Sequence, residues 1–199
     1  MLVIGITGGT GCGKTTLLRA IARCGGFCID CDAVYHELLR TSPALREDLR
    51  HAFGNVFLPD GSLDRRSLGA VVFHDNEKLA LLDAISFRHV GLEVGRIIRH
   101  EAYVGTPMLG IDAIKLIEGG LSELCDVTVA VVAPTEERVR RIMERDGISE
   151  SYARARIAAQ QPERFFRQSC TYTLENCGTR EEFEEKADRL VRQLLARTP

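Results

Sequence analysis

Leu2-Val3-Ile4-Gly5-Ile6-Thr7-Gly8-Gly9-Thr10-Gly11-Cys12-Gly13-Lys14-Thr15-Thr16 is the stretch on which the fold turns. Gly8, Gly13, Lys14 and Thr15 satisfy the spacing G-x-x-x-x-G-K-[ST] of a phosphate-binding loop. Glycines let the backbone curl so that successive N–H groups face phosphate oxygens, with no Cβ in the way. A lysine at position 14 reaches β- and γ-phosphates, and the Thr15 hydroxyl suits a Mg²⁺ that accompanies them. The flanks agree with the motif. Leu2 to Ile6 reads as a buried parallel strand, and Lys14 to Arg23 carries Leu17, Leu18, Ile21 and Ala22 on one helical face. Such a helix aims the positive end of its dipole at the bound anion. The reading is a nucleotide triphosphate site, with Gly11, Cys12, Gly13, Lys14, Thr15 and Thr16 as its contacting run.

Outward from the loop, strand signals alternate with helical stretches. Phe27-Cys28-Ile29-Asp30, Met108 to Asp112, Val127 to Ala133 and Tyr172 to Glu175 complete five predicted strands. The Val127 run is apolar but for Thr128, as in a strand covered on both faces. Alternation of this kind predicts an α/β fold with a parallel sheet between helical layers. Between Ala33 and Thr106 no strand is evident; helical patterns fall near 44–53, 65–73, 76–86 and 88–103, with a turn at Pro59-Asp60-Gly61. That much helix exceeds a simple crossover and predicts an inserted helical subdomain. A second insertion follows the fourth strand, where residues 138–167 hold eight arginines against four acids, with a break at Asp146-Gly147 and Ser149 as N-cap beyond it. The last helix opens on a capping box, Thr179 with Glu182.

The chain has 199 residues, 45% hydrophobic and 27% charged, with net charge −2, which suits a single domain with insertions and offers no global attraction to nucleic acid. No apolar run approaches a membrane span. A strand beginning at residue 2 is expected to leave no room for a signal peptide, so a cytoplasmic protein is expected. Its seven cysteines, an odd number, read as reduced thiols. Cys24, Cys28 and Cys31 have a spacing that can ligate an iron–sulfur cluster, but a strand through Cys28 and Cys31 would send them to opposite faces. The five histidines show no ligand spacing.

Ligands of open α/β sheets sit beyond the carboxyl ends of the strands. Asp30 and Asp32 end the second strand, where a carboxylate can orient Mg²⁺ or accept a proton from an attacking hydroxyl, or can cap the next helix. Two acids at i and i+2 extend from one side if the strand continues. Asp112, ending the third strand, is a candidate Mg²⁺-organising acid; it and Glu118 are equally open to ion pairing. Arginines bind phosphate oxygens bidentately, and Arg141 and Arg145, four apart on one helical face, are the favoured contacts in the arginine-rich segment.

These residues together resemble a known family. Gly5 to Thr16, Asp30-Cys31-Asp32, and Asp60-Gly61-Ser62-Leu63-Asp64-Arg65-Arg66-Ser67-Leu68-Gly69 are similar to the corresponding motifs of dephospho-CoA kinases. So are Arg145-Asp146-Gly147-Ile148-Ser149 with Arg154, Arg156 and Gln160, and Glu175-Asn176-Cys177-Gly178. The resemblance spans nearly the whole chain, 1–199. It implies a three-layer P-loop NTPase fold with strand order 2-3-1-4-5, a helical acceptor subdomain over 34–104 and a lid over 138–168. It implies transfer of the ATP γ-phosphate to the 3′-hydroxyl of dephospho-CoA, with Mg²⁺. By resemblance Asp32 would be the general base, Lys14, Arg141 and Arg145 would neutralise the transferring phosphoryl, Thr15 would hold Mg²⁺ and Asn176 would lie near adenine. Phe87-Arg88 replaces the usual His-Pro pair, Lys115 lies in a changed segment from Asp112 to Glu118, and Phe166 and Thr171 replace a common lysine and aspartate. Lys115 is open to a new phosphate or pantetheine-side contact. A redox role for Cys12 or Cys31 is open. A monomer or weak homo-oligomer is expected, with ATP and dephospho-CoA as partners and neither nucleic acid nor membrane. Two other readings stand beside this one: a kinase of the same fold for a nucleoside or nucleoside monophosphate, and a nucleotide-dependent switch.

Overall fold

A computed structural model describes residues 1–197, so the last two positions of the expected 1–199 domain lie outside the described residues. Five strands, β1 (Leu2–Thr7), β2 (Phe27–Asp30), β3 (Met108–Asp112), β4 (Val127–Val132) and β5 (Tyr172–Glu175), form a parallel sheet of order β2-β3-β1-β4-β5. In the centre Ile6 pairs with Asp112 on one side and with Val129 on the other. Every residue of β1 is buried, as a central parallel strand requires. Along β4 the pleat divides the side chains. Val129 and Val131 pack with Leu17 and Ile21 of α1 (Lys14–Arg23), while Ala130 and Val132 pack on Phe166. Phe166 is 2% exposed, so the residue that replaces a common lysine serves as a core side chain. Thr171, the other nearby departure, donates its N–H to Thr128 Oγ1 at 3.0 Å and ties the start of β5 to β4.

The chain divides into two compact units, residues 1–29 with 98–199, and residues 30–97. In the second unit lie α2 (Cys31–Thr41), α3 (Pro43–Phe53), α4 (Arg65–Val72) and most of α5 (Asn76–Tyr103). Leu45, Leu49, Phe53, Val56, Leu68 and Val72 form its core. Ser42 caps α3, and Asp64 caps α4 by accepting from the Arg66 and Ser67 amides at 3.1 and 3.0 Å. The helices expected at 76–86 and 88–103 are one helix. Arg88, at the position where the resemblance implies a proline, keeps the N–H that proline would remove, and the helix runs on through it.

The expectation that a continuing strand aligns Asp30 and Asp32 is corrected. The strand stops at Asp30, and Cys31 already begins α2. Asp30 Oδ1 accepts from the Asp32 and Ala33 amides at 2.9 and 3.1 Å, which makes Asp30 the helix cap. The same turn removes the strand premise used for Cys28 and Cys31.

In the first unit the arginine-rich segment forms α6 (Thr135–Asp146), α7 (Glu150–Ala158) and α8 (Glu163–Ser169). Gly147 ends α6 in the left-handed region, and Ser149 accepts from the Tyr152 amide to cap α7. The final helix, α9 (Arg180–Ala196), has both bonds of the capping box and lays Phe183, Ala187 and Val191 into the sheet core. No described helix is long and apolar enough to cross a membrane.

Candidate nucleotide-binding site

The loop between β1 and α1 owes its shape to what surrounds it. Gly13, the N-cap of α1, has φ +104°, and a Cβ there would lie 2.5 Å from Asn176 Nδ2. No side chain caps α1 and its first turn has no acid, which leaves its amide end suited to an anion. Lys14 Nζ donates to Gly8 O at 3.0 Å and stands 3.9 Å from Asp112 Oδ1, so the lysine and the candidate metal-organising acid meet. Thr15 is exposed on the first turn of α1.

A second layer braces the loop from outside. Arg138, at 7% exposure, donates Nε to Thr10 O at 2.9 Å and Nη2 to Gln160 Oε1 at 2.9 Å. Gln160 Oε1 also accepts from the Thr10 amide at 3.0 Å, and its Nε2 donates to Thr10 Oγ1 at 2.6 Å. One amide side chain thus satisfies both Thr10 polar groups and a buried guanidinium, which keeps that charge from being stranded. Arg141 reaches Gly11 O at 3.3 Å and Asn176 Oδ1 at 3.4 Å, and Asn176 Nδ2 donates to Cys12 O at 2.9 Å. Asn176 is 5% exposed at the end of β5, where its own N–H bonds Val132 O.

Of the two favoured arginines, Arg141 lies against the loop. Arg145 instead donates to the adjacent Asp146 at 2.7 Å and is exposed. Arg138 was not singled out by the sequence, although 138, 141 and 145 lie on one helical face, the signal that would have found it. Gln160 carried no assigned role. Lys115 and Glu118 line a hollow of about 250 Å³ together with Gln160 and Phe166. Burial pushes the Cys12 thiol up, with Arg138 and then Lys14 pulling the other way, so the thiol in the loop stays protonated near neutrality. Asp32 belongs to the second unit, in the first turn of α2, with its carboxylate exposed.

The family profile described as dephospho-CoA kinase matches residues 2–182. The dephospho-CoA kinase of Corynebacterium glutamicum is 34% identical over 99% of both chains. That of Anaeromyxobacter dehalogenans is 37% identical over 98% of this chain and 92% of its own. Among solved structures, a Thermus thermophilus protein superposes with a TM-score of 0.78 at 33% identity, covering 100% of this chain and 98% of that one. Dephospho-CoA kinase from Campylobacter jejuni shares the fold, with a TM-score of 0.70 at 19% identity, covering 98% and 97%. With a family profile over residues 2–182 and a relative 34% identical over 99% of both chains, this chain belongs to the dephospho-CoA kinase family.

Proposed function

We propose that this kinase transfers the γ-phosphate of ATP to the ribose 3′-hydroxyl of dephospho-CoA, giving coenzyme A and ADP, the last step of coenzyme A synthesis. The observation that carries the reading is a family match spanning residues 2–182, which takes in the phosphate loop, the helical insertion and the arginine-rich segment together.

Gly11 to Thr16 hold the triphosphate through loop amides and the end of α1. Lys14, which donates to Gly8 O in this structure, turns to the β- and γ-oxygens when nucleotide enters. Arg141 adds charge to the transferring phosphoryl, and Asn176 lies toward the adenine. Arg145 joins them by leaving its exposed pairing with Asp146, a low-cost exchange for a surface ion pair. Asp32 is the general base that takes the 3′-hydroxyl proton, its carboxylate standing exposed in the first turn of α2. Residues 34–104 supply the acceptor side, and residues 138–168 act as the lid that excludes water.

Thr15 and Asp112 suit Mg²⁺, since a hydroxyl and a carboxylate are the hard oxygen donors it selects and both adjoin Lys14, at the γ-phosphate end of the loop. Bound there, Mg²⁺ neutralises phosphate charge. The reaction is proposed to run in the cytoplasm, in a monomer or weak homo-oligomer.

The test is ADP release from Mg-ATP with dephospho-CoA, AMP, CMP, adenosine or no acceptor. Turnover is expected with dephospho-CoA. Turnover with AMP or CMP and none with dephospho-CoA would overturn the reading, and equal ADP release without acceptor would point to a switch.

A further inference from the structure

Within the second unit, a hollow of about 500 Å³ is lined by His36, Arg40, Arg46, Asp60, Gly61 and Arg65, among others. Its arginines are not equivalent. Arg40 is engaged by both oxygens of Glu37, at 2.8 and 2.9 Å. Arg46 bonds only a neutral group, donating Nη2 to Gly61 O at 2.8 Å, and its buried Nε has no partner among the described residues. Its guanidinium lies 5.1 Å from the centre of the Phe57 ring, which holds the plane in one orientation. Gly61 is matched to that guanidinium, because a Cβ there would come within 2.7 Å of Nη2. Arg65, exposed on the first turn of α4, reaches His36 Nδ1 at 3.4 Å. Neither Arg46 nor Arg65 meets a carboxylate among the described residues. Asp60, the acid of the lining, accepts through Oδ1 from the Ser62 amide at 2.8 Å and the Ser62 hydroxyl at 2.7 Å, and pairs with neither arginine.

We propose that this hollow, through Arg46 and Arg65, binds the pyrophosphate of the acceptor and so selects dephospho-CoA over acceptors without one. The inference rests on the acceptor being dephospho-CoA. Between its adenosine and its neutral pantetheine arm, the pyrophosphate is the only charged group that molecule offers. Two guanidinium groups without carboxylate partners, one already fixed in plane, match a dianion with oxygens on both phosphorus atoms. Arg40 already has its charge balanced by Glu37, which leaves Arg46 and Arg65 as the two whose charge the dianion would balance. Leu39 and Leu63 line the same hollow and give apolar surface to the start of the pantetheine arm.

The experiment is steady-state kinetics of the full chain, varying dephospho-CoA and ATP in turn. Arg65→Met and Arg46→Met should each raise KM for dephospho-CoA by about 10-fold or more, the loss of one charge-assisted contact. KM for ATP should stay within about twofold, the split that separates an acceptor contact from a general structural role. Arg65→Lys should recover part of the loss by restoring charge without the fork. An unchanged KM for dephospho-CoA, or equal rises in both KM values, overturns the proposal. Arg65 is exposed, so its variant decides the matter if Arg46→Met fails to fold. Wild-type enzyme that ignores dephospho-CoA would sink the functional reading itself; wild-type turnover with indifferent variants would sink only the hollow.

Discussion

Asp32 and Gln160 were both visible in the sequence, and they are expected to fail in different ways when changed. Asp32→Asn keeps the size and the helix position of the side chain but removes the base. Its kcat should fall by about 10²-fold or more while ATP binding is retained, as measured by single-turnover transfer and nucleotide titration. Full kcat in that variant would remove Asp32 from the role. Gln160→Leu removes two hydrogen bonds with Thr10 and leaves Arg138 Nη2 without its acceptor. Stability should drop by about 2–3 kcal/mol, the cost of stranding buried polar groups. KM for ATP should rise with it, because Thr10 lies inside the loop. Denaturant melts and ATP kinetics on one preparation check both, and an unshifted melt would show the brace to be dispensable. Gln160 was legible as a matching residue only. Its meaning depends on the 2.6–3.0 Å geometry with Thr10, 150 positions away in the chain.

The turn between α6 and α7 is held by one carboxylate serving two helices. Asp146 accepts from Arg145 of α6 at 2.7 Å and from Arg156 of α7 at 2.5 Å. The Arg145 hydrogen bond, followed by that of Arg156, lowers its carboxyl from 3.8 to about 2. A folded-state value below the unfolded one means the contribution is present above the usual carboxylate range and fades as pH falls toward about 2. Asp146→Asn should therefore open this turn more readily than wild type at pH 7, read by amide exchange across residues 144–156. The two proteins should converge as the pH falls to about 2, and a gap that persists there would contradict the assignment. At this scale the local signals were sufficient: Gly147 after a basic turn, Ser149 just beyond the break, and Thr179 with Glu182 each appear in the structure as the cap their chemistry specifies. The α5 helix was legible in both halves. Its continuity follows from the absence of proline at 88, which periodicity alone does not weigh.

For the whole molecule, a β-run, a glycine loop with Lys14 and a helix, followed by alternating strands and helices, determined the α/β class and the five strands. Hydrophobic periodicity and the loop motif are local, so they are readable along the chain. The same applies to the helical insertion, whose excess length between β2 and β3 is a property of spacing. Strand order came by resemblance and is present as β2-β3-β1-β4-β5. What the sequence could not determine were the partners of its charges. Arg138, Arg141 and Arg145 share one helical face, yet the first is buried on the loop, the second touches it and the third turns to Asp146. Arg40, Arg46 and Arg65 line one hollow, yet among the described residues only Arg40 pairs with a carboxylate, that of Glu37. A guanidinium has the same intrinsic chemistry at every position. Only tertiary packing decides which carbonyl, carboxylate or open space its fixed fork of donors will face.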